Sequence, residues 1–231
     1  MEEINLELVT TINRTKYDIF RWRYELSIPK KLALALGIAC LTGLMAQARV
    51  FVPWSPVPIT GQTFAVLLAG VLLGRWWGGA SLAIYVGIGA AGVPLFAPQA
   101  GMPIFSAGGI GVLAGPTGGY IIGFILAALF LGHFTDTYVR SRSFLSMLAL
   151  MLFANFILIH IPGLVYLHFW LRLVKGNAVT LSQLLMMGTI PFIAGDVTKA
   201  IAAAAVTRGV VPKQAYNGEA DKDKWANWRF P

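Results

Sequence analysis

Long runs of apolar residues alternate along the chain with short stretches that are polar or rich in glycine and proline. A helix needs about 20 apolar residues to cross the hydrocarbon core of a bilayer. The runs therefore predict six membrane-spanning helices, at 31–50, 60–74, 77–93, 116–138, 144–173 and 188–209. The second and third are short and are joined by GRWWGG, in which two tryptophans beside Arg75 are typical of an anchor at the membrane interface.

The remaining stretches do not fit straight membrane helices. Residues 94–115 are apolar, but prolines and glycines interrupt them, so we expect an ordered Gly/Pro-rich outer loop. Residues 1–30 form a polar, partly helical N-terminal arm, and residues 212–231 form a polar tail that contains tryptophans. The pattern as a whole predicts an all-α integral membrane domain at 31–211, with an arm before it and a tail after it.

Composition and charge support this prediction and add an orientation. The 231 residues are 57% hydrophobic and 12% charged, whereas about a quarter of the residues of a soluble domain are charged. The formal net charge of +8 comes from lysines and arginines at the ends of the apolar runs, mostly in the arm, the 2–3 turn, the 4–5 loop and the tail. By the positive-inside rule, both termini are cytoplasmic in a multi-pass protein of the cell membrane. The excess of positive charge therefore reflects topology, and no nucleic-acid partner is expected.

Two opposite charges interrupt the sixth apolar run, PFIAGDVTKA at 191–200. Asp196 and Lys199 are three residues apart, so they share one face of a helix. An ionised side chain near the middle of a bilayer costs about 2.5–3.5 kcal/mol on insertion scales, and such residues usually face a cavity or the bundle interior. The two residues form either a structural ion pair that neutralises itself or an anchor for a polar ligand. We favour the anchor because the pair lies about one turn into the outward end of its helix.

Other polar positions are less specific. Gln62, at the outward end of the second predicted helix, is either a hydrogen bond between helices or a ligand contact. At 115–120, Pro116 is expected to begin a helix, and Thr117 follows it, so backbone N–H groups at this positive helix end suit an acceptor or an anion. Asn155 and His160 in the fifth helix either add polar contacts or accompany the kink at Pro162.

Small residues in the first predicted helix indicate close packing. Ala35 and Ala39 are four residues apart and allow another helix to approach closely. Two interpretations stay open: packing within the bundle, or docking of a separate membrane subunit.

Signatures of catalysis and of cofactor binding are missing from the sequence. The three histidines are dispersed without a carboxylate or cysteine cluster, so no metal site is expected. The glycine-rich run at 108–119 lacks the GK[ST] of a phosphate loop, and no nucleophile or paired-carboxylate motif is present. We therefore expect neither an enzyme nor a bound cofactor.

Four segments in register resemble the BioY family, the biotin-binding S-components of energy-coupling factor (ECF) transporters. They are PVPITGQTFAVLLAGVLLG (56–74), GVPLFA (92–97), GGIGVLAGPTGGYIIGFILAA (108–128) and PFIAGDVTKAIAAA (191–204). The resemblance covers about residues 31–211. It implies a six-helix S-component fold with an outward-facing cavity that captures biotin under a cap of loops. It also implies that the protein functions together with a transmembrane coupling subunit and two ABC-type ATPase subunits.

The resemblance assigns roles to particular residues. The GDxxK pattern falls on Asp196 and Lys199, the second-helix glutamine on Gln62, the GPTGGY motif on Gly115 to Tyr120, and the docking motif of small residues on Ala35 and Ala39. Biotin's ureido ring has two N–H donors and one carbonyl acceptor. Asp196 can accept from the ring, while Lys199 donates to the carbonyl or holds the aspartate ionised.

The rest of the ligand needs apolar walls and a group for its carboxylate. Aromatic wall residues are expected among Tyr85, Phe96, Phe105 and Tyr120. Candidates to bind the ligand carboxylate are the backbone amides of Gly115–Thr117 and Arg49. Alternative hypotheses are an S-component for a different small vitamin and, from another class, a membrane-embedded enzyme or a channel.

Overall fold

The computed structural model describes residues 2–213. The polar tail predicted at 212–231, with its tryptophans, lies outside the described residues except for its first two positions. Helices occupy α1 Glu2–Glu25, α2 Ile28–Gln47, α3 Gln62–Leu73, α4 Arg75–Ala90, α5 Ile110–Leu113, α6 Gly118–Thr137, α7 Phe144–Phe153, α8 His160–Leu173, α9 Leu181–Gly188 and α10 Ile193–Val210. Short turns of other helical types occupy Val139–Arg142, Ala154–Ile159 and Ile190–Phe192, and two strands occupy β1 Arg49–Val50 and β2 Ile59–Thr60.

The helical bundle matches the predicted fold class. In the described part of the chain, four helical stretches are long and apolar enough to cross a membrane: Ile28–Gln47, Gly118–Thr137, Phe144–Leu173 and Leu181–Val210. Helices α3 and α4 have only 12 and 16 residues, or about 18 and 24 Å at 1.5 Å per residue. They occupy the second and third predicted segments.

A single glycine turns the chain between α3 and α4. Gly74 has a φ of +81°, a left-handed conformation that costs glycine little. The two helices then pack at close range, because a Cβ on Gly78 would lie 2.6 Å from Gly70 Cα. Glycines at this crossing thus allow two short helices to return on each other without a loop.

Helix α6 is the centre of the bundle. It packs against α3, α4 and α8, and small residues on several of its faces allow this. A Cβ on Gly132 would lie 2.5 Å from Arg75 Cα at the start of α4, and one on Gly123 would lie 2.7 Å from Ile159 Cα. Because α6 touches these three elements, it fixes the position of side chains near its first turn.

Helix α6 begins later than predicted. Its first residue is Gly118, after a turn in which Gly118 N–H donates to Gly115 O. Pro116 therefore belongs to the turn before the helix.

The fifth predicted helix is continuous but changes its winding. Helix α7 passes through a π-helical turn, Ala154–Ile159, into α8, and the backbone N–H of His160 donates to the carbonyl of Asn155, five residues earlier. A π turn shifts the face that later residues present and is often found at functional sites. This turn was not predicted, because apolar residues continue through it without a break.

Helix α9 was also not predicted. It begins with a capping box, in which the Thr180 hydroxyl accepts from Gln183 N–H and the Gln183 side chain accepts from Thr180 N–H. This is the T-x-x-Q signal of a helix start. It lies almost wholly between the fifth and sixth predicted helices, 144–173 and 188–209. A short 3-10 turn at Ile190–Phe192 separates α9 from α10.

Two short features shape the loops at this end of the bundle. The strands β1 and β2 pair antiparallel, with Arg49 opposite Thr60, and so place Thr60 beside the start of α3. Within 94–115, a backbone bridge joins Phe96 to Ala107, and one helical turn, α5, follows it. Neither the strand pair nor α5 was predicted.

The N-terminal arm is one helix, α1, whose last turns are clamped to the opposite end of the bundle. Arg23 donates to Val71 O at 2.9 Å and to Leu72 O at 3.1 Å, and it pairs with Asp136 at 2.5 Å. The Tyr24 hydroxyl also donates to Asp136, and burial raises the pKa of that hydroxyl. Asp136 accepts from the backbone N–H at the start of α4 as well.

Ala35 and Ala39 lie on the inner face of α2. They are 0% and 1% exposed, and α2 packs against α3 and α4. Both alanines are covered by the chain's own helices, as the interpretation of packing within the bundle expects. Docking of another subunit through these two side chains stays a prediction, and it would require α2 to separate from its neighbours.

Candidate ligand-binding site

One cavity lies where α3, α6 and α10 begin and where α8 starts. It encloses about 530 Å³ of empty space, part of it open to solvent. Its lining is Val57, Pro58, Thr60, Gln62, Thr63, Ala97, Thr117, Tyr120, Ile121, Phe124, Ile159, His160, Phe192, Asp196 and Lys199. Five residues predicted for the site line this cavity: Gln62, Thr117, Tyr120, Asp196 and Lys199.

Asp196 is the centre of the polar part of the cavity. It lies in the first turn of α10 and is 2% exposed. Its Oδ2 accepts from Asn155 Nδ2 at 2.9 Å and lies 3.0 Å from His160 Nε2. Its Oδ1 accepts from the Thr63 hydroxyl at 3.3 Å and from Lys199 Nζ at 2.5 Å. The carboxylate therefore links three other elements, α3, the π turn and α8, to α10.

Lys199 closes the ion pair from the same helix. Its Nζ also donates to Thr60 O at 2.8 Å, on β2. The side chain is 17% exposed and lines the cavity. The lysine is thus held by a carboxylate and a carbonyl at the wall of the cavity.

Gln62 is held by a short hydrogen-bond chain. Its Nε2 donates to the Tyr85 hydroxyl at 2.6 Å, and that hydroxyl donates to Leu95 O at 3.4 Å. The Gln62 Oε1 accepts from the Thr60 hydroxyl at 3.0 Å. Because Tyr85 uses its proton on Leu95, it accepts from Gln62, which fixes the orientation of the amide.

Tyr85 and Phe96 stand behind Gln62 and do not line the cavity. Both are 0% exposed, and their rings pack edge to face with centroids 5.4 Å apart. The lining of this cavity does not include them, and their contact with the ligand stays a prediction. Phe96 of the GVPLFA segment packs against Tyr85 of α4, and the Tyr85 hydroxyl accepts the hydrogen bond from Gln62.

The GPTGGY segment contributes only part of its length. Tyr120 lines the cavity and donates its hydroxyl proton to Gly188 O at 2.8 Å. Thr117 also lines it, whereas Gly115 lies in the turn before α6, outside the lining.

Two further residues suggested by the sequence lie elsewhere. Arg49 donates to Met102 O at 2.7 Å and does not line the cavity. Phe105 is 45% exposed, has a φ of +53°, and accordingly offers no wall to the cavity.

The sequence analysis did not connect Asn155 and His160 to the charged pair. Residues five apart on a regular α-helix are about 140° apart, which would put the two side chains on different faces. The π turn between them brings both onto Asp196. Thr63 was missed because a threonine in an apolar helix gives no distinctive signal.

Apolar side chains complete the walls. Ile121 and Phe124 from α6 and Phe192 before α10 are buried and line the cavity. The His160 ring packs edge to face on Tyr120 at 5.7 Å and on Phe192 at 5.8 Å. The cavity therefore combines apolar walls with one cluster of convergent polar groups, the usual build of a small-molecule site.

Comparison with known proteins places this geometry in a family. The model of the BioY family matches residues 15–215. A probable biotin transporter BioY of Methanothermobacter thermautotrophicus is 52% identical over 164 residues, which is 71% of this chain and the whole of the relative. The biotin transporter BioY of Thermotoga maritima is 33% identical over 163 residues, 71% of this chain and 86% of the relative.

A solved structure shares the fold. It is the crystal structure at 2.1 Å of the S-component for biotin from an ECF-type ABC transporter, with a TM-score of 0.66 and 23% sequence identity over 79% of this chain and 93% of that chain. With its several long apolar helices and transporter relatives, the chain is a multi-pass membrane protein. The protein belongs to the BioY family.

Proposed function

We propose that this protein is the biotin-binding S-component of an ECF-type vitamin transporter, which captures biotin from outside the cell and delivers it inward. The observation that carries the proposal is that, in a chain of the BioY family, the charged pair Asp196–Lys199 lines a buried cavity with Gln62 and Tyr120. Biotin combines an apolar bicycle and chain with a polar ureido group at one end and a carboxylate at the other. The apolar walls and the polar cluster match the bicycle and its ureido group.

We further propose six membrane spans: α2, α3, α4, α6, α7–α8 and α9–α10. Three helices, α3, α6 and α10, begin at the cavity with Gln62, Tyr120 and Asp196. The same helices end beside α1, at Leu72 O, Asp136 and Arg208 O, which accept hydrogen bonds from Arg23 or Lys16. Since the arm is rich in basic residues, the positive-inside rule puts it in the cytoplasm and the cavity at the outer side.

As partners we propose a transmembrane coupling subunit and two ABC-type ATPase subunits. Support comes from the family and from the fold shared with an S-component of an ECF-type transporter. The proposed docking role of Ala35 and Ala39 belongs to this step. Co-purification of the four subunits after joint expression tests it, and recovery of this chain without the others would contradict it.

A binding panel tests the ligand. Purified protein in detergent, titrated with biotin, thiamine and riboflavin by isothermal calorimetry, is expected to bind biotin with a Kd below about 1 μM and the other two at least a hundredfold more weakly. Tighter binding of thiamine or riboflavin would identify an S-component for a different vitamin. If none of the three vitamins binds, the proposal is contradicted.

Labelling from outside the cell tests the orientation. In a Cys40→Ala background, a cysteine introduced at Ser106, on the cavity side, is expected to react with a membrane-impermeant maleimide in intact cells. A cysteine at Thr11 in α1 is expected to react only after the membrane is opened. The reverse pattern would place the cavity inside.

A further inference from the structure

We propose that a groove between α1 and α2 binds one phospholipid of the cytoplasmic leaflet, with an acyl chain in the groove and an anionic headgroup at the first turn of α2. The groove lies beside the ends of α3 and α10, whereas the ligand cavity lies where these helices begin. The two sites are therefore separate. Only the choice of leaflet rests on the proposed orientation.

The walls of the groove are mainly apolar. Side chains of α1, α2, the last turn of α3 and the end of α10 enclose about 840 Å³ of empty space, part of it open to solvent. Three large residues of this lining, Ile19, Trp22 and Leu34, are 52%, 52% and 37% exposed. The described helices thus leave an apolar surface partly uncovered, and such surfaces mark protein or membrane contacts.

The α2 wall of the groove belongs to a helix that borders the membrane. Helix α2 is long and apolar enough to span a bilayer, and only 22% of its apolar stretch is buried by the described residues. Gly37 lines the groove on this helix, and a Cβ built on it would meet nothing within 4 Å. A gap beside a membrane span is filled by acyl chains wherever no protein covers it, so we assign a lipid chain to the groove.

The start of α2 supplies groups for a phosphate. Lys30 lies about one turn before Leu34 and about two turns before Gly37, so it shares their face of the helix. Lys31 follows it, and the first turn contains no acidic residue. The N-cap residue, Ser27, makes no side-chain hydrogen bond to the helix. Backbone N–H groups at a helix start attract anions, and lysines near the cytoplasmic surface attract anionic lipids.

Arg23 indicates that a polar group enters the groove together with the chain. Its side chain is 9% exposed and is the charged member of the described lining. The Nη atoms donate to Val71 O, Leu72 O and Asp136, but Nε is buried and lacks an acceptor among the described residues. A buried N–H without an acceptor is costly. Ester or phosphate oxygens of a phospholipid supply an acceptor, which a pure hydrocarbon lacks.

Native mass spectrometry tests this site on the whole chain, stripped of lipid and titrated in one detergent with phosphatidylglycerol or phosphatidylcholine of the same acyl chains. We expect wild-type protein to bind one phosphatidylglycerol at least tenfold more tightly than phosphatidylcholine. Equal affinities for the two lipids would overturn the inference. Failure to bind biotin would overturn the proposed function but would leave this measurement unaffected.

Filling the groove tests where the lipid binds. Gly37→Phe places a ring in the open space, so we expect phosphatidylglycerol binding to weaken at least tenfold. Gly87→Phe on α4 is the matched control, because a Cβ there also meets nothing within 4 Å and the residue does not line the groove. If Gly37→Phe does not fold, Ala33→Phe in the same wall carries the same expectation. Unchanged lipid binding in the folded variant would overturn the inference.

A charge variant tests the headgroup. Lys30→Gln is expected to lower the ratio of the two lipid affinities at least threefold, whereas Lys175→Gln removes the same charge outside the lining and is expected to keep the ratio. An unchanged ratio in Lys30→Gln would overturn the assignment of the headgroup to α2. If Gly37→Phe instead keeps its lipid and loses co-purification with the coupling subunit, the groove is a protein docking surface and the inference is wrong.

Discussion

Replacing Asp196 by asparagine keeps the size of the side chain but removes the negative charge at the centre of the cavity. The amide has one oxygen and one NH2 group where the carboxylate has two accepting oxygens. At least one of the four present donors, from Thr63, Asn155, His160 and Lys199, therefore loses its acceptor. Lys199 also loses its counter-charge and keeps only Thr60 O.

The expected size of the effect follows from these contacts. A hydrogen bond to a charged group contributes about 1.5–3 kcal/mol, and breaking a buried ion pair costs about 3–5 kcal/mol of stability. Part of this cost is present in the protein without ligand and cancels in the binding equilibrium. We therefore expect the biotin Kd to rise at least tenfold, which corresponds to about 1.4 kcal/mol, and the melting temperature to fall.

The assay is calorimetric titration of purified protein, with thermal unfolding measured on the same sample. Asp136→Asn is the matched control, because it removes a charge paired with Arg23 at the other end of the bundle. That variant is expected to lower the melting temperature while the biotin Kd stays within threefold of wild type. A folded Asp196→Asn protein with wild-type affinity would refute the assignment of this charged pair to the binding site.

Other positions give further predictions. Gln62→Leu removes the donor to Tyr85 and a polar group of the cavity, so we expect at least tenfold weaker biotin binding in calorimetry; unchanged affinity would limit Gln62 to packing. Gly78→Ala places a methyl group 2.6 Å from Gly70 Cα and should lower the melting temperature by several degrees, whereas Gly87→Ala on the same helix meets nothing within 4 Å and should not. Arg23→Ala removes the bonds that Arg23 makes from α1 to α3 and α6, and limited proteolysis should then cleave the arm faster than in wild type; equal rates would show that Arg23 does not hold the arm in place.

The sequence predicted those features that depend on composition and short spacing. Apolar runs indicated the helices. Two charges three residues apart indicated a cavity, because an ionised side chain in a membrane helix is costly unless it faces a cavity or the bundle interior. The meeting of Asn155 and His160 at Asp196 could not be predicted from regular α-helical spacing, since the π turn between them changes the number of residues per turn. Aromatic residues were assigned by chemistry alone, and Tyr85 and Phe96, expected among the wall residues, lie buried against each other outside the cavity lining.

The two acids in the helical domain show how a structural ion pair differs from a binding one. Arg23, the partner of Asp136, donates to two carbonyl oxygens, a tyrosine hydroxyl and the carboxylate, and only its Nε lacks an acceptor among the described residues. That Nε is buried, and Arg23 is not part of the lining of the ligand cavity. Lys199, the partner of Asp196, meets two acceptors among the described residues and lines the cavity. Both pairs neutralise themselves, so charge balance alone does not separate the two interpretations of Asp196 and Lys199. An ammonium group has three N–H donors, and a lysine that lines the cavity with two described acceptors favours the ligand.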